Sequence, residues 1–304
     1  MSSSPPTALI TGASSGIGEA LARRFAQGGH NLVLVARSGP KLQALADEIS
    51  AAHGVKAHVV VADLAQPDAA QRLAATMKRA RRPIDVLVNN AGVLEHGNFI
   101  DMPAARHQQL IDLNVSGLTA MLAHFVPPMA ARGSGRVLNV ASIASFQAVP
   151  TLATYAATKA YVLSLTESLT QELKGSGVTL TALCPGITAT QMLDNAQQTS
   201  AELNRLPAFM VGSAEDVAAE AFAACLRGDV ICVPGAINRA ANLTLRAAPR
   251  WLLRPITGAV ARRTNRKSGK PAGASRSQAT TTQDQAPHML GGTLAVAPRP
   301  PRHP

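Results

Sequence analysis

The feature that most constrains the fold is a regular alternation of short apolar runs with longer helical segments over roughly the first 240 residues. The run at 31–36, Asn-Leu-Val-Leu-Val-Ala, is apolar almost throughout, which is typical of a parallel strand buried on both faces. Because parallel strands need crossover helices, the alternation predicts one parallel sheet covered on both sides. The predicted strands cover 8–10, 31–36, 58–62, 84–88, 136–140, 178–183 and 230–233.

Helical patterns separate these strands, and their ends carry typical residues. Gly28 and Gly29 follow the first helical pattern as a C-terminal stop, and Pro67 stands at the start of the third. This order predicts an α/β fold, a doubly wound seven-stranded parallel sheet of the Rossmann type. The predicted helices cover 19–27, 41–50, 67–80, 102–131, 151–174 and 214–226, and the single domain that they form with the strands covers 1–240.

The C-terminal fifth of the chain differs in charge and composition. Residues 241–304 contain 11 basic residues and one acid, whereas residues 1–240 contain 18 basic and 17 acidic residues. The net charge of +11 therefore belongs to the C-terminal end, and the neutral body does not favour a nucleic-acid partner. We predict an apolar and basic extension over 241–264 and a disordered basic tail over 265–304, which is rich in Ser, Thr, Gln, Pro and Arg.

The cysteines favour a reducing compartment. Cys184, Cys225 and Cys232 form no CxxC pair and cannot all be paired within one chain. No window holds 18 uninterrupted apolar residues, and residues 1–6 lack the pattern of a secretory signal. We therefore expect a cytoplasmic protein.

The segment 241–263 leaves two interpretations open. It combines apolar side chains with arginines, which favours peripheral contact with an anionic membrane. Pro249 and Pro255 interrupt it, so an extension docked on its own domain or on a neighbouring subunit is the alternative. RNA binding by the tail is not expected, because interleaved stacking aromatics are missing.

A glycine-rich turn joins the first predicted strand to the first predicted helix. Its sequence, Thr11-Gly-Ala-Ser-Ser-Gly-Ile-Gly18, has GxxxGxG spacing. Glycines permit a tight turn and the close approach of a pyrophosphate, and the helix N-terminus offers unpaired N–H groups and a positive dipole end. The turn predicts dinucleotide binding by Gly12, Ser14, Ser15, Gly16, Ile17 and Gly18.

Arg37 stands 19 residues beyond Gly18, at the end of the second predicted strand. Folds that bind NAD usually have an acid there for the ribose 2′-hydroxyl, whereas an arginine suits the 2′-phosphate of NADP. Arg37 therefore favours NADP(H), with NAD(H) as the alternative. A solvated loop residue is the simplest other interpretation of this arginine.

Further motifs follow the turn in a fixed order. They are Asp63-Leu64, Asn89-Asn-Ala-Gly92, Asn114, Ser142, Tyr155-x-x-x-Lys159 and Pro185-Gly-Ile-Thr188. Together with the glycine turn they resemble the short-chain dehydrogenase/reductase family, in its classical form, over roughly residues 6–235. The resemblance implies an oxidoreductase that interconverts an alcohol and a ketone or aldehyde with a nicotinamide cofactor. It also implies a homodimer or homotetramer.

The predicted catalytic group is Asn114, Ser142, Tyr155 and Lys159. Tyr155 and Lys159 are four residues apart and share one face of a helix, and a nearby ammonium favours the ionised phenol. Tyr155 is therefore predicted to exchange a proton with the substrate oxygen, which the Ser142 hydroxyl holds. The resemblance adds that Lys159 binds the nicotinamide ribose and that Asn114 kinks its helix around a water linking Lys159 to solvent.

The remaining cofactor contacts are implied by the resemblance alone. Asp63 and Leu64 are expected near the adenine, and Asn90, Ala91 and Gly92 along the adenosine side. Ile187 and Thr188 are expected against the nicotinamide amide, beside Pro185, Gly186, Tyr155 and Lys159. No metal site is predicted, since no pair of histidines has a partner carboxylate at ligand spacing. We interpret His96 as a surface residue, with the border of the active-site cleft as the alternative.

The segment after Gly186 covers the substrate in this family. Residues 187–210 space large apolar side chains among polar ones, namely Met192, Leu193, Leu203, Leu206, Phe209 and Met210. This pattern favours a small apolar carbonyl or alcohol substrate, with packing on the sheet edge as the alternative. The leading hypothesis is an NADP(H)-dependent reductase. The alternatives are an NAD-linked hydroxysteroid or hydroxy-lipid dehydrogenase and a non-catalytic, membrane-associated dinucleotide-binding scaffold.

Overall fold

The computed structural model describes residues 5–190, 211–236 and 238–240. Seven strands form one sheet in the order β3-β2-β1-β4-β5-β6-β7, and every neighbouring pair is parallel. The Rossmann-type fold predicted from the alternation is confirmed. The strands are β1 Thr7–Thr11, β2 Asn31–Ala36, β3 Ala57–Val61, β4 Val86–Asn89, β5 Gly135–Val140, β6 Val178–Leu183 and β7 Ile231–Cys232.

Seven α-helices between these strands have both ends within the described residues. They are α1 Gly16–Gln27, α2 Gly39–His53, α3 Ala69–Arg79, α4 Ala104–Ile111, α5 Leu118–Ala131, α6 Ala153–Glu172 and α7 Ala214–Arg227. Short 3₁₀ turns cover Phe99–Asp101 and Ile143–Phe146. The edge strand β7 is two residues long, shorter than the predicted 230–233.

Two separate cores fill the two sides of the sheet. Side chains alternate along each strand, so Ile10 of β1 joins one core and its neighbour Leu9 joins the other. The first core receives α1, α2 and α7, for example through Leu21, and the second receives α3, α5 and α6, for example through Met121. Because both faces of β1 and β2 are covered, their sequences are apolar without alternation.

The region predicted as one helix over 102–131 has an interruption. A π-helical turn, Asp112–Gly117, separates α4 from α5. This turn contains Asn114, whose side chain bonds to the backbone of Val93 outside the helix. Single π turns inside α-helices are rare and are frequently found at functional sites. The sequence pattern cannot reveal such a turn, because the bonds that accompany it are tertiary.

Pro127 and Pro128 lie inside α5 without ending it. A proline leaves the carbonyl four residues earlier without its N–H partner. These carbonyls belong to Ala123 and His124, which are both exposed, so water can take the place of the missing donors.

By length and composition alone, the 28-residue stretch Ala104–Ala131 could cross a membrane. In the fold its apolar side chains contribute to the second core, where Met121 and Met129 are almost completely buried. The stretch therefore has the environment of a core helix. The predicted extension at 241–264 and the predicted tail at 265–304 lie outside the described residues, so those boundaries stay predictions.

Gly117 marks the point where the helix touches the loop after β3. A Cβ atom on Gly117 would lie 2.4 Å from the carbonyl oxygen of Leu64. We expect Gly117→Ala to lower the free energy of unfolding by about 1–3 kcal/mol, although alanine is the better helix former. Chemical denaturation measures this. Gly97→Ala is the control, because its Cβ would meet its nearest neighbour, the Met102 side chain, at an ordinary 3.9 Å. Equal stability of the two variants would contradict the close approach.

Candidate active site

A cavity of about 930 Å³ lies where the strands end at their carboxyl sides. The strand order reverses direction between β1 and β4, and such switch points open a crevice in doubly wound sheets. The predicted cofactor-binding residues line this cavity, except Gly18, which packs beneath the turn. Of the four predicted catalytic residues, Ser142, Tyr155 and Lys159 line it and Asn114 does not.

The glycine turn forms one end of the cavity. Gly12 has φ +66° and Gly16 has φ +56°, a backbone conformation that other residues adopt only with strain. A Cβ atom on Gly18 would lie 2.2 Å from the Gly12 carbonyl oxygen. The turn therefore needs glycine for its conformation at two positions and for close packing at the third. The N–H groups of the first turn of α1 have no partner within the helix, which makes this end suited to an anion.

Thr11 and Asn90 fix this turn against the end of β4. The Asn90 side-chain amide donates to the carbonyl oxygens of Thr11 at 3.0 Å and Gly12 at 3.2 Å. In return, the Thr11 hydroxyl accepts from the backbone N–H groups of Asn90 at 2.9 Å and Ala91 at 3.0 Å. Sequence reasoning missed Thr11, and its position immediately before the first glycine is the available signal.

Arg37, Asp63 and Leu64, which were predicted to lie near the adenosine, line the same cavity as the glycine turn. Arg37 is exposed and lines the cavity after β2. The Asp63 carboxylate accepts from the N–H of Ala65 at 3.1 Å, which shapes the turn after β3, and Leu64 is buried. Among the described residues that line the cavity, Arg37 and Lys159 are the two Arg or Lys side chains, and they stand at opposite ends.

Ser142, Tyr155 and Lys159 meet at the other end. Ser142 follows β5, while Tyr155 and Lys159 lie one turn apart on α6, and all three are buried. The Ser142 hydroxyl lies close enough to the Tyr155 hydroxyl to favour the ionised phenol. The Lys159 ammonium nitrogen Nζ donates to the Val140 carbonyl oxygen at 2.8 Å and lies 5.9 Å from the centre of the Tyr155 ring.

Burial shifts the pKa values of Tyr155 and Lys159 in opposite directions. It raises the pKa of the Tyr155 phenol, and the nearby Ser142 hydroxyl only partly opposes this shift. It lowers the pKa of Lys159 from 10.5 to about 8. The sequence argument expected the Lys159 ammonium to lower the pKa of Tyr155, whereas the pKa is raised. Desolvation is the larger effect here.

Asn114 lies behind the cavity wall. Its side-chain oxygen accepts from the Val93 N–H at 2.9 Å, and its amide donates to the Val93 carbonyl at 2.9 Å and to the Thr158 hydroxyl at 3.2 Å. A Cβ atom on Gly92 would lie 3.2 Å from Asn114 Oδ1 and 3.4 Å from Lys159 Nζ. Asn114 and Lys159 therefore approach Gly92 together, and Asn114 ties the helix interruption to the loop after β4.

The part of the cavity wall that neighbours Ser142 and Tyr155 in the chain is mostly apolar. Val93, Leu94, Ile143, Val149 and Leu152 line it, together with the polar residues Gln147, Thr151 and His96. Sequence reasoning missed the stretch 147–152, although its place between Ser142 and Tyr155 was the available signal. The interpretation of His96 as a surface residue is wrong, since it lines the cavity.

Thr151 adopts a strained conformation in this wall, with φ +66° in a β-branched residue. Its carbonyl accepts from the Gly97 N–H at 2.9 Å, and its hydroxyl pairs with His96 Nε2 at 3.0 Å. These contacts join the loop after β4 to the segment before α6.

The structure describes the predicted substrate cover, 187–210, only over its first four residues, 187–190. Ile187 and Thr188 line the cavity, and Gly212 bonds to this stretch through the Ile187 carbonyl at 2.9 Å and the Ala189 N–H at 3.0 Å. Residues 191–210, with the six apolar side chains on which the prediction of an apolar substrate rests, lie outside the described residues.

A family model described as short chain dehydrogenase matches residues 6–201. Oxidoreductase UcpA of Escherichia coli strain K12 is 41% identical over 201 residues, covering 64% of this chain and 74% of that protein. A short-chain dehydrogenase from Sphingobium yanoikuyae in complex with NADPH is 33% identical, with a TM-score of 0.71 over 89% of this chain and 99% of that one.

Two further solved structures are similar in fold and size. The bulky-bulky ketone specific alcohol dehydrogenase from Comamonas testosteroni is 30% identical, with a TM-score of 0.68 over 90% of this chain and 98% of that one. A short chain dehydrogenase/reductase from Burkholderia phymatum in complex with NAD is 28% identical, with a TM-score of 0.69 over 80% of this chain and 92% of that one.

The buried Lys159 amine gives stability a defined pH dependence. Between its folded pKa of about 8 and its ordinary value of 10.5, the unfolded chain binds a proton that the folded chain does not. The free energy of unfolding must therefore rise with pH in this window. We expect a rise of about 2 kcal/mol between about pH 7.5 and 9.5, relative to Lys159→Met, measured by chemical denaturation without cofactor. Parallel pH profiles for the two proteins would contradict the lowered pKa.

Proposed function

The chain belongs to the short-chain dehydrogenase family and is an oxidoreductase that acts on CH–OH and C=O groups with a nicotinamide dinucleotide cofactor, and we propose that it is an NADP(H)-dependent reductase of apolar ketones or aldehydes. The observation that carries this proposal is the meeting of Ser142, Tyr155 and Lys159 at one end of the cavity, opposite the glycine turn and Arg37. The cavity thus places proton-transfer groups at one end and an anion site at the other.

The residues present fit a dinucleotide. The glycine turn and the N-terminus of α1 would hold the pyrophosphate, and the Asp63–Leu64 and Asn90–Gly92 segments would flank the adenosine. Lys159 would hold the nicotinamide ribose, with Ile187 and Thr188 beside the carboxamide and Pro185-Gly186 behind them. When bound, the nicotinamide supplies or accepts the hydride, and the protein's part is orientation and proton transfer.

Arg37 supports the preference for NADP(H). Its guanidinium lies at the adenosine end, where an NAD-binding fold usually presents a carboxylate. A guanidinium binds a phosphate through charge-assisted hydrogen bonds, in a way that it cannot bind a hydroxyl. The similar structures contain NADPH in one case and NAD in another, so the argument rests on this side chain.

Tyr155 is the proposed acid in reduction and the base in oxidation. Because burial keeps the phenol protonated, Tyr155 is ready to donate its proton to the oxygen of a carbonyl group. Ser142 and Tyr155 both line the cavity with their hydroxyls close together, so one substrate oxygen can lie against both groups. The protonated phenol is the form of Tyr155 that reduction requires.

Lys159 and Asn114 would act behind Tyr155. The Lys159 amine, with a pKa of about 8, can gain or lose a proton near neutral pH, unlike an exposed lysine. Asn114 would hold the helix interruption open beside it, on the path by which the proton is replaced from solvent.

The wall formed by Val93, Leu94, Ile143, Val149 and Leu152 supports an apolar substrate. The similar enzyme from Comamonas testosteroni is specific for bulky ketones, which makes bulky apolar ketones the first compounds to test. By family resemblance we also expect a homodimer or homotetramer in the cytoplasm. Residues 241–263 lie outside the described residues. The comparisons do not support peripheral membrane contact through this segment.

Replacing Tyr155 by phenylalanine removes the proposed proton donor and little else. We expect Tyr155→Phe to lower kcat on a reducible apolar ketone by at least about 10²-fold, because general acid catalysis contributes this much. Tyr161→Phe is the matched control, since Tyr161 lies on the same helix with its hydroxyl bonded to Thr119 away from the cavity. Turnover that survives in Tyr155→Phe would refute the proposed role.

Replacing Arg37 by aspartate tests the cofactor preference without knowledge of the substrate. We expect the wild type to bind NADPH about 10–100-fold more tightly than NADH, and Arg37→Asp to lose this preference, because one charge-assisted contact is removed. Fluorescence titration of the purified chain measures both. Arg79→Asp, an exposed change on α3 away from the cavity, is the control for net charge. Tighter binding of NADH by the wild type would instead favour NAD-linked alcohol oxidation, and binding of neither would favour a non-catalytic scaffold.

A further inference from the structure

Ser145 connects the two elements that carry the proposed catalytic group. It lies in the 3₁₀ turn Ile143–Phe146, three residues after Ser142. Its hydroxyl donates to the backbone carbonyl of Lys159 on α6 at 2.8 Å and accepts from the backbone N–H of Ser142 at 3.3 Å. One side chain therefore bonds to the backbones of two proposed active-site residues on different elements.

The same turn is closed by reciprocal bonds. The Ser142 hydroxyl accepts from the Ala144 N–H at 3.1 Å, and the Ser145 N–H donates to the Ser142 carbonyl at 2.9 Å. With the Ser145 hydroxyl on the Ser142 N–H, these bonds form a capping box around the turn. The backbone conformation of Ser142, and hence the direction of its side chain, is fixed in part by Ser145.

Lys159 is held at both of its ends by one short segment. Its ammonium group donates to the Val140 carbonyl at 2.8 Å, at the end of β5, and its own carbonyl accepts from Ser145 at 2.8 Å. The segment from Val140 to Ser145 therefore fixes the position of α6 at the level of Lys159. A helical carbonyl has a second lone pair, so the bond from Ser145 does not compete with the helix.

We infer that Ser145 is a positioning residue for the reaction, and the inference rests on the proposed function. Ser142 comes from the end of a strand and Tyr155 from a helix, so the approach of their hydroxyls depends on how that strand end meets that helix. Ser145 is the hydroxyl that joins the two backbones beside the site. It acts through Ser142 and Lys159 and does not line the cavity.

Ser145→Ala removes both bonds of the hydroxyl and keeps the size of the side chain close to that of serine. We expect kcat on an accepted ketone to fall about tenfold, since small displacements of reacting groups have effects of this order or larger. The dissociation constant for NADPH should stay within about twofold of wild type, because the glycine turn and Arg37 are untouched. The apparent pKa of the kcat profile should move by about half a unit or more, because the Tyr155 and Lys159 environment changes.

Ser168→Ala is the matched control. Ser168 lies on α6, the helix that carries Lys159, and its hydroxyl also donates to a backbone carbonyl, that of Ser164, at 2.9 Å. It is exposed and does not line the cavity. This variant should behave as wild type in kcat and in the pH profile. Ser145→Thr keeps the hydroxyl and should keep kcat within about threefold of wild type.

Three results would overturn the inference. The first is a kcat within twofold of wild type in Ser145→Ala. The second is a tenfold loss of kcat in Ser145→Thr. The third is a loss of activity in Ser145→Ala that weaker NADPH binding explains in full, with an unchanged pH profile of kcat. Tyr155→Phe in the same assay separates this inference from the proposed function. If Tyr155→Phe keeps turnover, the proposed function fails, and if only Ser145→Ala behaves as wild type, the positioning role alone fails.

Discussion

The structure depends on one constraint, which is that all seven strands run parallel in a sheet buried on both faces. The backbone groups of such strands are satisfied within the sheet, and each connection must cross one face as a helix. Every strand therefore ends at the same edge. The residues that follow β1, β2, β4, β5 and β6 meet there, although more than 170 positions separate Gly12 from Pro185 in the chain.

The two ends of the cavity differ in how far water reaches them. Arg37 is exposed, whereas Tyr155 and Lys159 are almost completely buried. Burial raises the pKa of the tyrosine and lowers that of the lysine, so it shifts both side chains toward their neutral forms. One end is suited to hold a charge and the other to move a proton.

The sequence predicted the parts of this arrangement that depend on local pattern. The strands, the glycine turn and the pair Tyr155 and Lys159 follow from apolar runs, from backbone conformation and from helical spacing. The interruption at Asn114 was implied by the family resemblance and not by the helical pattern, because the partner of its side chain is Val93, 21 residues away in the chain. The roles of Thr11 and Ser145 were missed for the same reason, since each hydroxyl bonds to a different element. The direction of the Tyr155 pKa shift depends on burial, which spacing alone cannot give.

The division into two cores has a consequence for changing this protein. Leu21 belongs to the core under α1, α2 and α7, whereas α5 and α6 pack on the opposite side of the sheet with Met121. Substitutions that are far apart and share no partners have additive effects on stability. On α6, Val162 and Leu163 belong to the second core, whereas Tyr155 packs in a smaller cluster with Leu110. Val140, whose carbonyl holds Lys159, belongs to the first core. A stabilising repacking of the first core can therefore be accumulated over many rounds of selection at positions distant from Val140, such as those on α2, with little effect on the reacting groups.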